Sequence, residues 1–172
     1  MSNLFHESTP KEIKGNPFAL LDSDWGLLSC RSDGKSNAMT VSWGGLGVLW
    51  NKPVATVYVR PTRYTFELLE EEAYFSLCFF TPEQKDALKL CGSKSGREMD
   101  KISAAGLTEI SDIAPYVEEA SLVLLCKKIY TDCINPENFL EETLDSNYPK
   151  KDYHKIYIGE IVKVLEKEFS EV

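Results

Sequence analysis

The sequence predicts a mainly β protein of the α+β class, in which a barrel-like sheet carries peripheral helices. Six segments rich in β-branched and aromatic residues are separated by Gly, Pro, Asn or Asp, as strands of a compact sheet are. These segments do not alternate regularly with helices, as the strands of a doubly wound parallel sheet do. The 172 residues contain no repeat or low-complexity linker, so we expect a single domain over residues 1–172.

The candidate strands follow one another through most of the chain. Asp33-Gly34 lies between the first two and is typical of a two-residue hairpin turn, so these two strands should pair antiparallel. In chain order the six candidates are Trp25–Ser32, Asn37–Trp43, Val54–Arg60, Ala73–Phe80, Ser121–Cys133 and Tyr153–Leu165.

Three helices are predicted between the strands. One runs from Thr62 to about Glu71, and its far end carries the acidic Glu70–Glu72 at the negative pole of the helix dipole, so it should depend on tertiary packing. A second begins at Thr81-Pro82-Glu83-Gln84, which has the pattern of an N-cap, a proline at N1 and a capping-box Gln, and continues to about Leu90. Asn135-Pro136 begins a shorter third helix in the same way.

Composition excludes several classes of protein. The net charge of −8 opposes nonspecific binding to nucleic acid. Five cysteines without a C-x-x-C pair favour free thiols in a reducing cytoplasm. Two histidines provide too few nitrogen ligands for metal catalysis. An N-terminal signal and a membrane-spanning run are absent from the sequence, so we expect a cytoplasmic protein without a membrane partner.

A cationic stretch runs through the middle of this acidic chain. Residues 30–65 contain five cationic residues against one acidic residue, a net charge of +4 in a chain of −8, so the remainder carries −12. Such a stretch is typical of a site for a small anion, although solvated turn residues give the same count. Walker A, Rossmann and nucleophile-elbow glycine patterns do not occur.

Three polar segments are candidates for that site. Strand alternation in Asn37–Trp43 places Met39, Val41 and Trp43 on a core face and Ala38, Thr40 and Ser42 on a hydroxyl-bearing face, which either meets a ligand or faces solvent. Arg60–Thr65 joins a strand end to a helix start, where backbone N–H groups and arginines favour phosphate. Gly92–Arg97 is a donor-rich loop that suits an anion or simple flexibility.

In combination these segments resemble the flavin reductase-like, FMN-binding split-barrel family, and most closely its flavoredoxin-type members. The resemblance extends from about residue 18 to residue 165 and rests on an ordered set of motifs, not on any single one. These motifs are DGKSNAMTVSW (33–43), the Asn51-Lys52-Pro53 turn, VRPTRYTFELL (59–69), SKSGREMDK (93–101) and HKIYIGEI (154–161).

The resemblance implies a split β-barrel that dimerises and binds FMN near the subunit interface. It places Asn37, Met39, Thr40, Val41, Ser42 and Trp43 along the flavin. It makes Arg60, Arg63, Tyr64 and Thr65 ligands of the phosphate and ribityl chain, with a second contribution from Lys94, Ser95, Gly96 and Arg97. His154 would lie beside the flavin, although a lone histidine at a strand start is also commonly structural.

Two functions follow from the resemblance. In the first, the protein is an NADH- or NADPH-dependent oxidoreductase that passes electrons through FMN to free flavin, a metal complex or a protein, and no side chain need act as acid or base. In the second it is a non-enzymatic electron carrier reduced by a partner protein, with the acidic surface available for docking. The segment Thr131–Lys150, which contains Tyr148, would either line a substrate channel or form a surface helix and loop.

Overall fold

The computed structural model describes residues 5–167, so residues 1–4 and 168–172 of the expected domain lie outside it. The six candidate strands are all present, and the mainly β class is confirmed. In chain order the strands are β1 Phe5–Ser8, β2 Gly26–Ser32, β3 Lys35–Val41, β4 Gly44–Leu49, β5 Lys52–Val59, β6 Tyr74–Phe79, β7 Glu109–Ile110, β8 Tyr116–Val117, β9 Leu122–Cys133 and β10 Lys155–Lys167.

The helices are short and lie around the sheet. They are α1 Pro17–Ala19, α2 Tyr64–Glu71, α3 Lys85–Ser93 and α4 Lys101–Ala104, with a π-helical turn at Leu20–Asp24 and 3₁₀ turns at Pro82–Gln84, Pro136–Asn138 and Glu142–Asn147.

Eight strands form one antiparallel sheet that curls into a split barrel. The order is β3-β2-β6-β9-β10-β5-β4, with β1 added to β10, and β7 and β8 pair separately. Only Ser42 and Trp43 separate the two edge strands β3 and β4, so the sheet edges meet at one corner. Among the described residues no ladder joins β3 to β4, and the barrel therefore stays open beside that corner.

Two hairpin turns set the register of the strands that flank this corner. Asp33 and Gly34 have φ angles of 49° and 75°, which confirms the predicted turn between β2 and β3. Trp50 and Asn51 have φ angles of 50° and 59° between β4 and β5. Left-handed conformations at both central residues match the right-handed twist of paired strands.

The inner face of the barrel and α2 form the main hydrophobic core. Each of the six long strands contributes buried side chains, and Leu68 and Leu69 of α2 pack among them. Tyr157, Phe75 and Phe79 are the bulkiest of the fully buried residues. A second buried cluster lies between the outer face of the sheet and α3, α4 and β8. The outer face is therefore covered by helices where β2 and β3 pass beneath them.

Tertiary contacts stabilise the acidic end of α2, as the sequence predicts. Tyr157 and Lys155 of β10 donate hydrogen bonds to the Glu70 carboxylate over 2.7 and 2.6 Å. Ser32 donates to Glu71 over 2.7 Å, and Lys128 donates to the Leu69 carbonyl. Lys128 at a terminal carbonyl and Lys155 at Glu70 place positive charge at the C-terminal end of α2, which opposes the unfavourable interaction of its acidic residues with the helix dipole.

Several local predictions were wrong. Helix α2 begins at Tyr64, with Arg63 as the N-cap. Thr81 makes no capping bond, because its hydroxyl donates instead to the Glu83 carboxylate, and the helix there starts as a 3₁₀ turn. The helix at Asn135 is only a 3₁₀ turn, although Asn135 does cap it. Four strands were not predicted, because each is glycine-rich, short or polar: β1, β4, β7 and β8.

Candidate functional site

A cleft of about 260 Å³ opens where the two edges of the barrel separate. The end of β3 forms one wall, the end of β5 forms the other, and the residue before β10 closes the base. This arrangement brings together eight of the predicted site residues and Tyr58. The predicted residues on its walls are Met39, Thr40, Val41, Ser42, Trp43, Arg60, Arg63 and His154.

The β3 wall follows the predicted alternation only in part. Met39 and Val41 point into the barrel core. Ala38 is buried in the outer cluster, and Thr40 donates its hydroxyl hydrogen to the Leu88 carbonyl of α3. The expected open hydroxyl face is therefore covered by α3 at these two positions, and Ser42 remains as the hydroxyl without a partner among the described residues.

Trp43 stands between this cleft and a neighbouring apolar cleft of about 470 Å³. Its indole is 49% exposed, although tryptophan usually buries most of its surface. Phe18, which is 81% exposed, and Ile134 also line this apolar cleft. Ser42, Trp43 and Tyr58 belong to both clefts, so the two form one continuous depression.

Arg63 is a partly buried cation whose charge is not neutralised. Its Nη1 donates to the Gly92 carbonyl over 3.0 Å, and its Nη2 donates to the Cys91 carbonyl over 3.5 Å. Within residues 5–167 no carboxylate pairs with it, and burial lowers the pKa of Arg63. It is also the N-cap of α2, where the N–H groups of the first helical turn have no intrahelical acceptor. The Arg63 side chain therefore provides positive charge on the wall of the cleft, and its place as the N-cap puts the start of α2 next to that wall.

Arg60 differs from Arg63 because its charge is already paired. Its Nη1 donates to Asp152 over 2.9 Å, and its Nη2 donates to the Asn147 carbonyl over 2.9 Å. The guanidinium lies 4.9 Å from the centre of the Tyr148 ring. Arg60 therefore lines the cleft while it holds the segment that precedes β10, and it is a weaker candidate for an anion ligand than Arg63.

His154 is a buried, neutral imidazole at the base of the cleft. It is 7% exposed, and its Nδ1 lies 2.8 Å from the Tyr148 hydroxyl oxygen. The ring centre is 5.2 Å from that of Trp43. Burial and the Arg60 charge lower the pKa of His154 to about 4, while Asp152 opposes that shift. His154 is therefore hydrogen-bonded to Tyr148 through Nδ1, and it is also part of the cleft wall.

A third cleft, of about 610 Å³, lies beside the start of α2. It takes Asn37, Tyr64 and Gly96 from the predicted set. Thr65 is buried beside it, where its hydroxyl oxygen accepts a 2.7 Å hydrogen bond from Asn37. A Cβ at Gly96 would stand 2.0 Å from the Asn37 Oδ1 atom, so only glycine allows this loop to approach β3 so closely.

The rest of the 93–97 loop lines neither the cleft between β3 and β5 nor the cleft beside α2. Lys94 is exposed, and Ser95 accepts a hydrogen bond from the Arg97 backbone. Arg97 pairs with Glu67 and lies 5.3 Å from the centre of the Tyr64 ring. Arg97 attaches the loop to the outside of α2, and the structure does not bring Lys94, Ser95 or Arg97 to the β3 and β5 walls.

Sequence reasoning left three residues out of the site. Strand alternation with buried Val57 and Val59 could have placed Tyr58 on the same face as Arg60. Tyr148 was noted only as a member of its segment. Lys101 gave no periodic signal, yet it is 3% exposed and donates to the Cys91 carbonyl over 3.0 Å beside Arg63. Burial and the Arg63 charge lower its pKa to about 8.

Three cysteines are buried in the hydrophobic core, and burial keeps their thiols protonated and unreactive. Cys30, Cys78 and Cys126 are fully buried. Burial raises the pKa of the Cys30 thiol to about 12 and that of Cys78 to about 11. A thiol that stays protonated is a poor nucleophile. None of the three lines the candidate cleft.

Comparison with known proteins relates this architecture to one family. A family model described as a flavin reductase like domain matches residues 21–171. No curated protein matches the chain significantly.

Solved structures share the fold. The FMN-binding domain of a flavin reductases-like enzyme from Shewanella baltica has a TM-score of 0.70 at 21% identity, over 97% of this chain and 80% of that one. The flavoredoxin from Methanosarcina acetivorans has a TM-score of 0.68 at 24% identity, over 87% and 71%. The FMN-binding protein from Thermus thermophilus has a TM-score of 0.67 at 25% identity, over 84% and 71%.

Proposed function

The chain belongs to the flavin reductase-like domain family, and from that membership we propose that it is an FMN-binding oxidoreductase that takes electrons from NADH or NADPH. The observation that carries the proposal is Arg63. This partly buried cation has no carboxylate partner among the described residues, and it stands beside the N-terminus of α2 on the wall of the open cleft. A bound phosphate would supply the missing counter-charge.

The residues of the depression suit the parts of FMN. Arg63 and the first N–H groups of α2, at Tyr64 and Thr65, would hold the phosphate. The apolar cleft with Trp43, Tyr58 and Phe18 would take the planar ring system, which needs aromatic and apolar contacts. The Ser42 hydroxyl and the backbone N–H groups on the free edge of β3 would donate hydrogen bonds to the polar rim of the ring.

Bound FMN would supply two-electron chemistry between the nicotinamide and an acceptor such as free flavin, a metal complex or a protein. The chain provides orientation and fixed dipoles. Buried and neutral, His154 does not serve as a proton donor at neutral pH, and the paired Arg60 keeps the base of the cleft rigid. Hydrogen-bond donors from Ser42 and β3 would favour negative charge on the ligand without the need for an acid or base.

The same site would also serve a non-enzymatic electron carrier, in which a partner protein reduces the flavin. The acidic surface outside residues 30–65 would then dock a basic or metal-containing partner. Direct reduction by a nicotinamide distinguishes the two functions, because a carrier of this kind depends on its partner protein for electrons.

We also propose a homodimer that buries the exposed face of β4. Val48 and Trp50 are 77% and 60% exposed there, beside an apolar cleft of about 820 Å³ that includes Leu46 and Ile161. Only Ser42 and Trp43 separate β4 from the β3 wall, so such an interface would lie next to the candidate flavin site.

A cytoplasmic location fits the five free thiols at Cys30, Cys78, Cys91, Cys126 and Cys133. No helix of residues 5–167 is long and apolar enough to cross a membrane.

The first experiment measures FMN binding by flavin fluorescence quenching. Arg63→Gln should weaken FMN binding by about 10- to 150-fold, which corresponds to about 1.5–3 kcal/mol for a charged hydrogen bond. Arg31→Gln is the matched control, because Arg31 pairs with Glu109 outside the cleft. Equal affinity in wild type and Arg63→Gln would move the phosphate elsewhere. Failure of the wild type to bind FMN would contradict the function itself.

The second experiment follows the flavin absorbance of the FMN complex under anaerobic conditions. Addition of stoichiometric NADH, and then of NADPH, should bleach the band near the flavin maximum with one of the two donors. A stable oxidised spectrum with both donors would contradict the reductase and assign the carrier function instead.

A further inference from the structure

The segment that links β9 to β10 contacts two residues of the cleft wall, Arg60 and His154, through a single buried tyrosine. Most of residues 134–153 are exposed or partly exposed, yet Tyr148 is only 4% exposed. Its ring centre lies 4.8 Å from that of Tyr153 and 6.2 Å from that of Phe139. The Arg60 guanidinium lies on the ring as well, at 4.9 Å. These contacts attach the segment to Arg60 of the cleft wall, while most of the segment forms surface turns and loop.

The Tyr148 hydroxyl has one polar partner, and that partner is His154. The Tyr148 oxygen and His154 Nδ1 are 2.8 Å apart, and both residues are buried. No other acceptor in residues 5–167 lies within hydrogen-bond distance of this hydroxyl. Burial raises the pKa of Tyr148, so the phenol keeps its proton at neutral pH.

The direction of this hydrogen bond follows from satisfying both groups. If Nδ1–H donated to the phenol oxygen, the buried Tyr148 O–H would have no acceptor among the described residues, and an unsatisfied buried donor is unfavourable. If the phenol donates to Nδ1, both groups are satisfied. A neutral imidazole carries one proton, which must then sit on Nε2. Nε2 is the only ring nitrogen left for a ligand, and His154 is part of the cleft wall.

We propose that Tyr148 is a positioning residue that holds His154 as the neutral Nε2–H tautomer and so presents one hydrogen-bond donor to the ligand of this cleft. The ligand is then recognised through an acceptor oxygen or nitrogen, of the kind found on the rim of a flavin ring or on a carboxamide. The identity of that ligand rests on the proposed function, whereas the tautomer does not. A phenylalanine at position 148 would keep the ring contacts and remove the donor.

The test is nitrogen NMR of ¹⁵N-labelled histidine in the ligand-free protein at pH 7. Wild type should show His154 protonated at Nε2 and unprotonated at Nδ1, with His6→Gln used to assign the two histidine signals. Tyr148→Phe should convert His154 to a mixture of both tautomers. Tyr153→Phe is the matched control, since its hydroxyl donates to Asp145 in the same aromatic cluster and should leave His154 unchanged.

A wild-type His154 protonated at Nδ1, or an unchanged tautomer in Tyr148→Phe, would overturn the proposal. A second readout is the FMN affinity of the folded Tyr148→Phe protein, which should fall about 3- to 10-fold, whereas Tyr153→Phe should bind as wild type. The NMR result needs no ligand. Absence of FMN binding in the wild type would therefore contradict the proposed function and leave the tautomer assignment standing.

Discussion

The neutral state of His154 makes the stability of the fold depend on pH in a measurable way. Burial and Arg60 lower the pKa of His154 from 6.5 to about 4 in the folded chain. The unfolded chain has the ordinary value, so between these two pH values it binds a proton that the folded state does not bind. The neutral His154 therefore contributes fully to the free energy of unfolding above pH 6.5, and this contribution is lost as the pH falls from 6.5 towards 4. Between pH 7.5 and pH 5.5 the expected loss is about 1 kcal/mol.

The assay is equilibrium urea unfolding at these two pH values. Both lie above the isoelectric point near 4.9, where low net charge promotes precipitation. The comparison is between wild type and His154→Asn, because all other ionisable groups are the same in both proteins and their contributions cancel in the difference. The free energy of unfolding of the wild type should fall by about 1 kcal/mol more than that of the variant.

An equal loss in the two proteins would refute the reasoning. It would mean that His154 takes up its proton in the folded state with little penalty, for example because Asp152 compensates for Arg60 and burial together. Both charges face the imidazole from the ends of the same ion pair. The result would then remove the argument that the cleft presents a neutral histidine at physiological pH.

Two further predictions concern the barrel itself. Gly159→Ala should lower the free energy of unfolding by about 1–3 kcal/mol, because the new methyl group would stand 2.6 Å from the Phe75 ring. Gly45→Ala, which adds a methyl group in open space, should change it far less in the same urea experiment. Of the five thiols only Cys133 is exposed, so a disulfide-exchange reagent should modify one thiol rapidly in native protein and all five after unfolding. Two or more rapid thiols would contradict the buried assignments.

Local sequence signals predicted those parts of the fold whose conformation depends on near neighbours. Asp33-Gly34 adopts the left-handed angles of a hairpin turn because these two residues tolerate them at little cost. The long strands were visible because they are rich in β-branched and aromatic residues and are separated by Gly, Pro, Asn or Asp. Strand β4 was missed because its Gly44-Gly45-Leu46-Gly47 run has little side-chain pattern, and it is specified by pairing with β5.

The same distinction between local sequence and tertiary contacts applies to the candidate site. The sequence by itself determined that hydroxyls, aromatic rings and arginines occur at residues 37–43 and 60–65, and that they lie within a cationic stretch of an acidic chain. Only the tertiary structure decided which of these groups remain available. Residues distant in sequence occupy several of them: Asp152 pairs with Arg60, and Leu88 accepts from Thr40. Arg63 keeps an unneutralised charge, because its partners are backbone carbonyls at the end of α3. Hydrogen bonds and ion pairs depend on three-dimensional proximity, and therefore local sequence could not reveal this difference.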